Sequence, residues 1–449
     1  MFDPTRATER CAAMIDLARG SGADAADAVA IGDASEAVHV RLGKLEDVER
    51  SESETVGLRV FVGSRSASVQ ATDSSDAALA ELAQRAVAMA RAAPEDRFAG
   101  LAPEELLAHG PFPDLELADG AEPAPEWLRA RAEECEDAAR AVAGVTNSEG
   151  GSASFGRSLF ALATSHGFSG VHAGTAHGLS ASVVAGEGSG MQRDYAWRQA
   201  RHAADLLTPA EIGRMAGDRA VARLNPARLP SKAMPVVFDP RISGSLIGHL
   251  LGAMSGAAIA RRSSFLLDRL EEELFSTAIR IVEDPHRLRG LRSRPFDGEG
   301  LPTTARTLVE AGRVTGWLAE SASARQLGIA PTGHASRGGS GAPGVSATNV
   351  DLEGGATVSR DELIADIKQG FLVTELIGHG VNGVTGDYSR GASGFRIEQG
   401  EIAGPVAEQT IAGNLIDMFR AMQPASDLER HRAINAPTLR IDGMTVAGE

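Results

Sequence analysis

The chain has 449 residues, more than one ordinary hydrophobic core organises, so two or three domains are expected. With 44 basic against 60 acidic side chains it carries a formal charge of −16, which disfavours a nucleic-acid backbone as a direct partner. Its 43% hydrophobic and 23% charged content describes a folded protein, and no apolar run approaches the roughly 20 residues that span a bilayer, so a cytoplasmic, membrane-free chain is expected.

The first helix is expected over about 4–20, amphipathic and carrying acids as well as bases, unlike a signal peptide. Val38, Val40 and Leu42, then Leu58, Val60 and Val62, recur at every second position, the strand period. ALAELAQRAVAMARAA returns to helical spacing, and residues 94–125, rich in Pro, Gly and acids, read as a long surface connection. A helix over about 126–143 precedes a second strand block, SASFGRSLFALATSHGFSGVHAGTAHGLSASVVAGEG. In TPAEIGRMAGDRAVARL, Thr208 is the expected N-cap and Pro209 the first helical residue. A boundary falls near 225–235.

Beyond it come the strand PVVFD, a helix, and short glycine-separated strands: GEGLPT, TLVEAGRVTGWLAE, GFLVTELIG, GFRIEQGEIAGPV and TLRIDGMTVAG. Ala311-Gly312 and Gln399-Gly400 are hairpin turn signals. The expected fold is α+β: residues 1–228 form an α/β domain with a mixed or antiparallel sheet and flanking helices, and residues 229–449 a mainly antiparallel β domain.

Familiar chemistry is scarce. Gly378, Gly380 and Gly383 match the GxGxxG spacing, but VTGDYSRGASG follows, and a pyrophosphate site needs a helix there. There is no GxSxG elbow, and the three lysines (Lys44, Lys232, Lys368) offer neither a Walker loop nor an SxxK pair. Cys11 and Cys135 are isolated and form no disulfide framework. His166 and His172 share strand parity while His177 does not, so one straight strand cannot aim all three at an ion; a hairpin could still join two.

Residues 236–265, VVFDPRISGSLIGHLLGAMSGAAIARRSSF, resemble the segment of the TldD/PmbA family that carries its metal motif. The resemblance continues through RPFDGEGLPT, GWLAESASARQLGIAPTGH, the long stretch 370–414 and PTLRIDGMTVAG, and is looser in the N-terminal half. It implies one of two subunits of a two-component metalloprotease. In the TldD branch an HExxxH helix supplies two zinc-binding histidines and a general base, and a late cysteine completes the ligands. Laid onto this chain, those positions hold Gly248, His249 and Ala253, and MQPASDLERHRAINAPTLRIDG contains no cysteine. Glycine and alanine have no donor atom. The DYSRGA block also resembles the PmbA/TldE branch.

The resemblance therefore implies a non-zinc, TldE-like subunit with no cofactor of its own. Zinc is expected in a TldD-like partner, and the substrate is expected to be an unfolded or extended peptide. Asn382, Asp387, Tyr388, Ser389 and Arg390 are the candidate residues facing substrate or partner, although DYSRG could equally be a turn satisfying local amides. Asp297 and Glu299 lie in a stretch shared by both branches and are expected to shape a turn. The alternative is a stand-alone peptide-binding or regulatory homodimer, in keeping with the family's description as a modulator of DNA gyrase.

Overall fold

In the computed structural model, which describes residues 3–120, 122–355 and 357–448, the chain opens with α1 (Pro4–Gly20), β1 (Ala25–Arg41), β2 (Lys44–Val62), β3 (Arg65–Ala71) and α2 (Asp76–Ala92). The same order then recurs as α3 (Pro125–Arg140), β4 (Val145–Thr164), β5 (Ser169–Ala185), β6 (Gln192–Ala200) and α4 (Pro209–Ala222). Thr208 caps α4 through a reciprocal capping box with Glu211, with Pro209 at its first position. All six strands form one antiparallel sheet ordered β3-β2-β1-β4-β5-β6, so the two units meet at β1–β4 with twofold-like connectivity.

Strand alternation gives this sheet two different faces. Ala26, Ala28 and Ala30 of β1 join the core of α1 and α2, while Val38 and Val40, of the same parity, join that of α3 and α4. All four helices thus cover one face. Cys11 and Cys135 lie buried beneath them, and burial pushes each thiol up to about 12, which leaves them unreactive.

The C-terminal half begins with β7 (Lys232–Phe238), α5 (Pro240–Ala253), α6 (Gly256–Ala260), β8 (Arg280–Glu283), β9 (Arg306–Glu310), β10 (Arg313–Val314), α7 (Ser321–Leu327), β11 (Ala335–Ser336) and β12 (Gly344–Val345). It continues with β13 (Val350–Glu353), α8 (Arg360–Ile364), β14 (Gln369–Ile377), β15 (Asp387–Glu398), β16 (Glu401–Asn414), α9 (Leu415–Ala421), β17 (Met422–Pro424), β18 (Ile434–Asn435) and β19 (Leu439–Ala447). The run β16-β15-β14-β7-β19 closes on itself through pairing of β16 with β19; only β7–β14 is parallel. A smaller sheet, β10-β9-β8-β13-β18, packs on the same core. The hairpins at Ala311-Gly312 and Gln399-Gly400 turn with positive φ at both residues, as such loops require. Among the described residues no helix is long and apolar enough to cross a membrane.

Two segments depart from expectation. GEGLPT is a turn rather than a strand: buried Asp297 accepts the N–H groups of Glu299, Leu301 and Ala335 and so holds the chain in a tight loop. Burial, and then the charge of Glu299, push the Asp297 carboxyl up to about 6 against those three donors. The folded state thus holds this proton more tightly than the unfolded one. The stability tied to it is complete below the ordinary value of 3.8 and is lost as pH rises through about 6. Carboxyl NMR should find the Asp297 midpoint near 6; a midpoint in the ordinary aspartate range would contradict this.

The segment 94–124 is the second departure. Its described residues run between the domains as a strap, burying Ala102, Leu107, Leu115 and Leu117. Leu107 packs with Phe296 in one apolar cluster on the helix-free face of the sheet, alongside Val29, Leu162 and Phe168. Its apolar residues follow neither the helix nor the strand period, because each answers to a different neighbour. Beside this cluster Asp27 binds Arg59 of its own sheet and Arg337 of the C-terminal domain. The two domains are therefore held together here by an apolar patch and a buried charge network.

Candidate functional site

Helix α5 starts at Asp239, whose carboxylate accepts the Arg241 N–H, with Pro240 at the first position. Its buried face, including Leu246, Ile247 and Leu250, joins Phe238, Phe371 and Val373 of the closed sheet. The opposite side is bare: a Cβ placed on Gly248 or on Gly252, one turn later, would meet nothing within 4 Å. His249 lies between them. Its Nε2 is buried and has no hydrogen-bond partner among the described residues, and its ring meets that of Tyr388 edge-on at 6.1 Å. The Tyr388 hydroxyl is likewise buried and unpartnered. Burial, and then the charge of Arg390, push His249 below its ordinary value, so it is a neutral ring beside a cation.

A zinc site needs several nitrogen, sulfur or oxygen donors converging on one point. Glycine and alanine stand at two of the three motif positions, and His249 faces a tyrosine ring and a guanidinium. No group of three or more His, Cys, Asp or Glu side chains that could hold an ion occurs among the described residues. The residues of this chain do not fit a zinc site.

The stretch DYSRG is the start of strand β15 rather than a turn. Strand alternation sends its residues to two places. Tyr388 is buried against His249, whereas Asp387 and Ser389 are exposed. Asp387 accepts from Thr385 Oγ1 and Asn414 Nδ2, which hold its carboxyl below the ordinary value. Asn382 Oδ1 caps the N–H groups of Val384 and Thr385 in the β14–β15 loop. That loop contains Gly378, Gly380 and Gly383 and leads into a strand, so no helix N-terminus is available for a pyrophosphate. Arg390 donates from Nε to the Ile377 carbonyl at 3.3 Å and borders a cleft of about 630 Å³ between the domains.

Gly244 and Ser245 of α5 form another part of that cleft, as do Tyr195, Trp197 and Gln199 of β6, a sheet-edge strand. Asp194 ties the walls together by accepting from Arg241 Nη2 at 3.1 Å and Arg223 Nη1 at 3.3 Å. Burial opposes its ionisation, but Arg241 and Arg223 outweigh that and hold the carboxyl below its ordinary value. A second cavity, about 430 Å³, shares Tyr195, Trp197, Arg241 and Arg432 with the first. Sequence reasoning missed these walls, since β6, α5 and the 427–432 segment contribute isolated residues and no motif.

The three histidines of the β4–β5 hairpin go to separate surroundings. His166 Nε2 contacts the Ala102 carbonyl, His172 packs between Phe160 and Phe296, and His177 stands on the helix-covered face with Nε2 3.2 Å from Asp119. Burial, then Arg294 and Arg201, push His172 down to about 4, in keeping with a neutral ring in an aromatic seam.

Comparison with known proteins places this geometry. The chain matches the PmbA/TldA metallopeptidase models for domain 1 over residues 26–90, the central domain over 118–224 and the C-terminal domain over 231–448. It is 38% identical to the metalloprotease PmbA of Escherichia coli O157:H7 across 98% of this chain and 96% of that protein. Among solved structures, a candidate modulator of DNA gyrase from Bacteroides thetaiotaomicron superposes with a TM-score of 0.89 at 25% identity, over 98% of each chain. TldE from Thermococcus kodakarensis shares the fold, with a TM-score of 0.84 at 22% identity over 97% of this chain and 100% of that one.

Proposed function

The chain belongs to the PmbA/TldD metallopeptidase family, and from that premise we propose that it is the non-zinc, TldE-like subunit of a two-component metalloprotease acting on unfolded or extended peptides. The observation that carries this reading is α5: a motif helix beside an open cleft, with Gly248, His249 and Ala253 where ligands and base would stand. The ion, held by a TldD-like partner, supplies an activated water for hydrolysis.

This chain's own residues hold and orient the peptide. Strand β6 presents a sheet edge to the cleft, where an extended segment can add by main-chain hydrogen bonds whatever its side chains. The N–H of Tyr195 is bonded to Asp194 and its carbonyl to Arg219, so an arriving backbone would exchange one set of bonds for another. Arg390 can donate to peptide carbonyls from the opposite wall. Exposed Ile377 and Val384, flanking and within the β14–β15 loop, suit a contact with the partner subunit.

Size-exclusion chromatography and peptide cleavage test this together. Mixing with the TldD-like subunit should give a 1:1 complex, with cleavage only in the mixture. A self-dimer indifferent to that subunit would overturn the proposal in favour of a stand-alone peptide binder.

A further inference from the structure

The smaller cavity has an unusual charge for so acidic a chain. Five guanidinium groups border it; Arg241 pairs with Asp194 and Arg360 lies 3.7 Å from Asp239, which leaves Arg198 on β6, Arg219 on α4 and Arg432 in the segment before β18. Among the described residues no carboxylate lies within 4.0 Å of Arg219 or Arg432, and the one nearest Arg198, Glu429, is 3.9 Å away. Their hydrogen bonds go instead to neutral acceptors: Arg198 to the Trp197 carbonyl, Arg219 to the Tyr195 carbonyl, and Arg432 to the Arg241 carbonyl and His431 Nε2. Arg360, on the same wall, pairs with Asp239 through Nη1 and has a buried Nε with no hydrogen-bond partner among the described residues.

Their neighbours register this excess charge. Burial, then Arg198, Arg432 and Arg219, push His431 down to about 4, so the imidazole is neutral and adds no cation of its own. Burial also lowers all three arginines from their ordinary value, with like-charged neighbours contributing at Arg219 and Arg432. Trp197 supplies an apolar wall, with the Arg432 guanidinium 5.0 Å over its ring. An anion entering here would meet these three planar forks, of which only that of Arg198 has a carboxylate within 4.0 Å among the described residues, Glu429 at 3.9 Å.

We infer that the cavity walled by Arg198, Arg219 and Arg432 takes a peptide carboxylate, either the C-terminal group or an acidic side chain of a segment lying along β6. Asp239, Asp427 and Glu429 also border it, and their charge disfavours a dianion such as phosphate relative to a monoanion. The shared wall at Tyr195, Trp197, Arg241 and Arg432 puts the site beside the larger cleft, so a bound carboxylate would set the register of the peptide there. This inference rests on the peptide-binding reading and gives it a substrate preference.

Calorimetry on the full chain alone tests it with three acetylated alanine–serine peptides: a free acid, its C-terminal amide, and an amide carrying one aspartate. At least one acidic peptide should bind about tenfold more tightly than the neutral amide, with the advantage shrinking as salt is raised. Which acidic peptide binds tells the C-terminal group from the side chain. Arg219→Gln, which keeps a donor for the Tyr195 carbonyl, and Arg432→Gln should each remove that advantage. Arg129→Gln, on the exposed face of α3, should keep it. Equal binding of acidic and neutral peptides, or tighter binding of inorganic phosphate, would overturn the assignment. The assay needs neither partner nor ion. Cleavage in the mixture without any acid preference would therefore sink this site alone, and acid preference without cleavage would sink the subunit reading alone.

Discussion

Asp27→Ala should lower the unfolding free energy by about 3–5 kcal/mol, because it removes the carboxylate that two buried guanidinium groups share. Asp27 Oδ2 receives Arg59 Nε at 2.6 Å, and Oδ1 receives Arg337 Nη2 at 3.0 Å. All three side chains are almost fully buried. Burial opposes the charge on Arg59, but Asp27 and Glu299 outweigh it and hold that group above its ordinary value. Asp27 and Arg59 belong to the first domain, Arg337 and Glu299 to the second, so the aspartate is the centre of the inter-domain network. Urea unfolding of the purified chain measures the loss. A change under about 1 kcal/mol, the value of an exposed pair, would show the network to be dispensable.

Gly57→Val should also destabilise, although valine suits a strand better than glycine does. A Cβ at Gly57 would stand 2.0 Å from the Gly339 carbonyl oxygen, a backbone atom that cannot rotate away. The 337–341 loop must therefore lift off β2, at a cost of about 1–3 kcal/mol or more. Because Arg337 lies in the same loop, the double variant with Asp27→Ala should lose less than the sum of the two. Strict additivity would place the two effects in independent parts of the molecule. Function should follow stability here: Arg390 and β6 lie on opposite domains, and the seam fixes the width of the cleft between them.

How far the sequence foretold this structure depends on which residues share a period. Apolar repeats revealed α1, α2, α4 and the strands at 38–62, and paired turn residues revealed the hairpins at 311–312 and 399–400. The opening of β1, AADAVAIGDASE, was missed because three of its buried positions, Ala26, Ala28 and Ala30, are alanines, which carry little hydrophobic contrast, and a fourth is the charged Asp27. The strap at 94–124 looked like surface because its leucines follow no element. The helix α5 was legible as the one that opens the second half after the strand PVVFD. The neutral contact of His249 with Tyr388 was not, since 139 residues separate the two in the chain. The arginine-walled cavity was also hidden, because Arg198, Arg219 and Arg432 converge only once β6, α4 and the C-terminal segment have packed.

Metal analysis of the separated subunits and of their complex tests most directly where the catalytic ion resides. The account predicts no zinc retained by this chain alone, one ion in the complex carried by the partner, and no change in that ion when His249 is replaced by alanine. Zinc bound by the isolated chain, and released on substitution of His249, would contradict it.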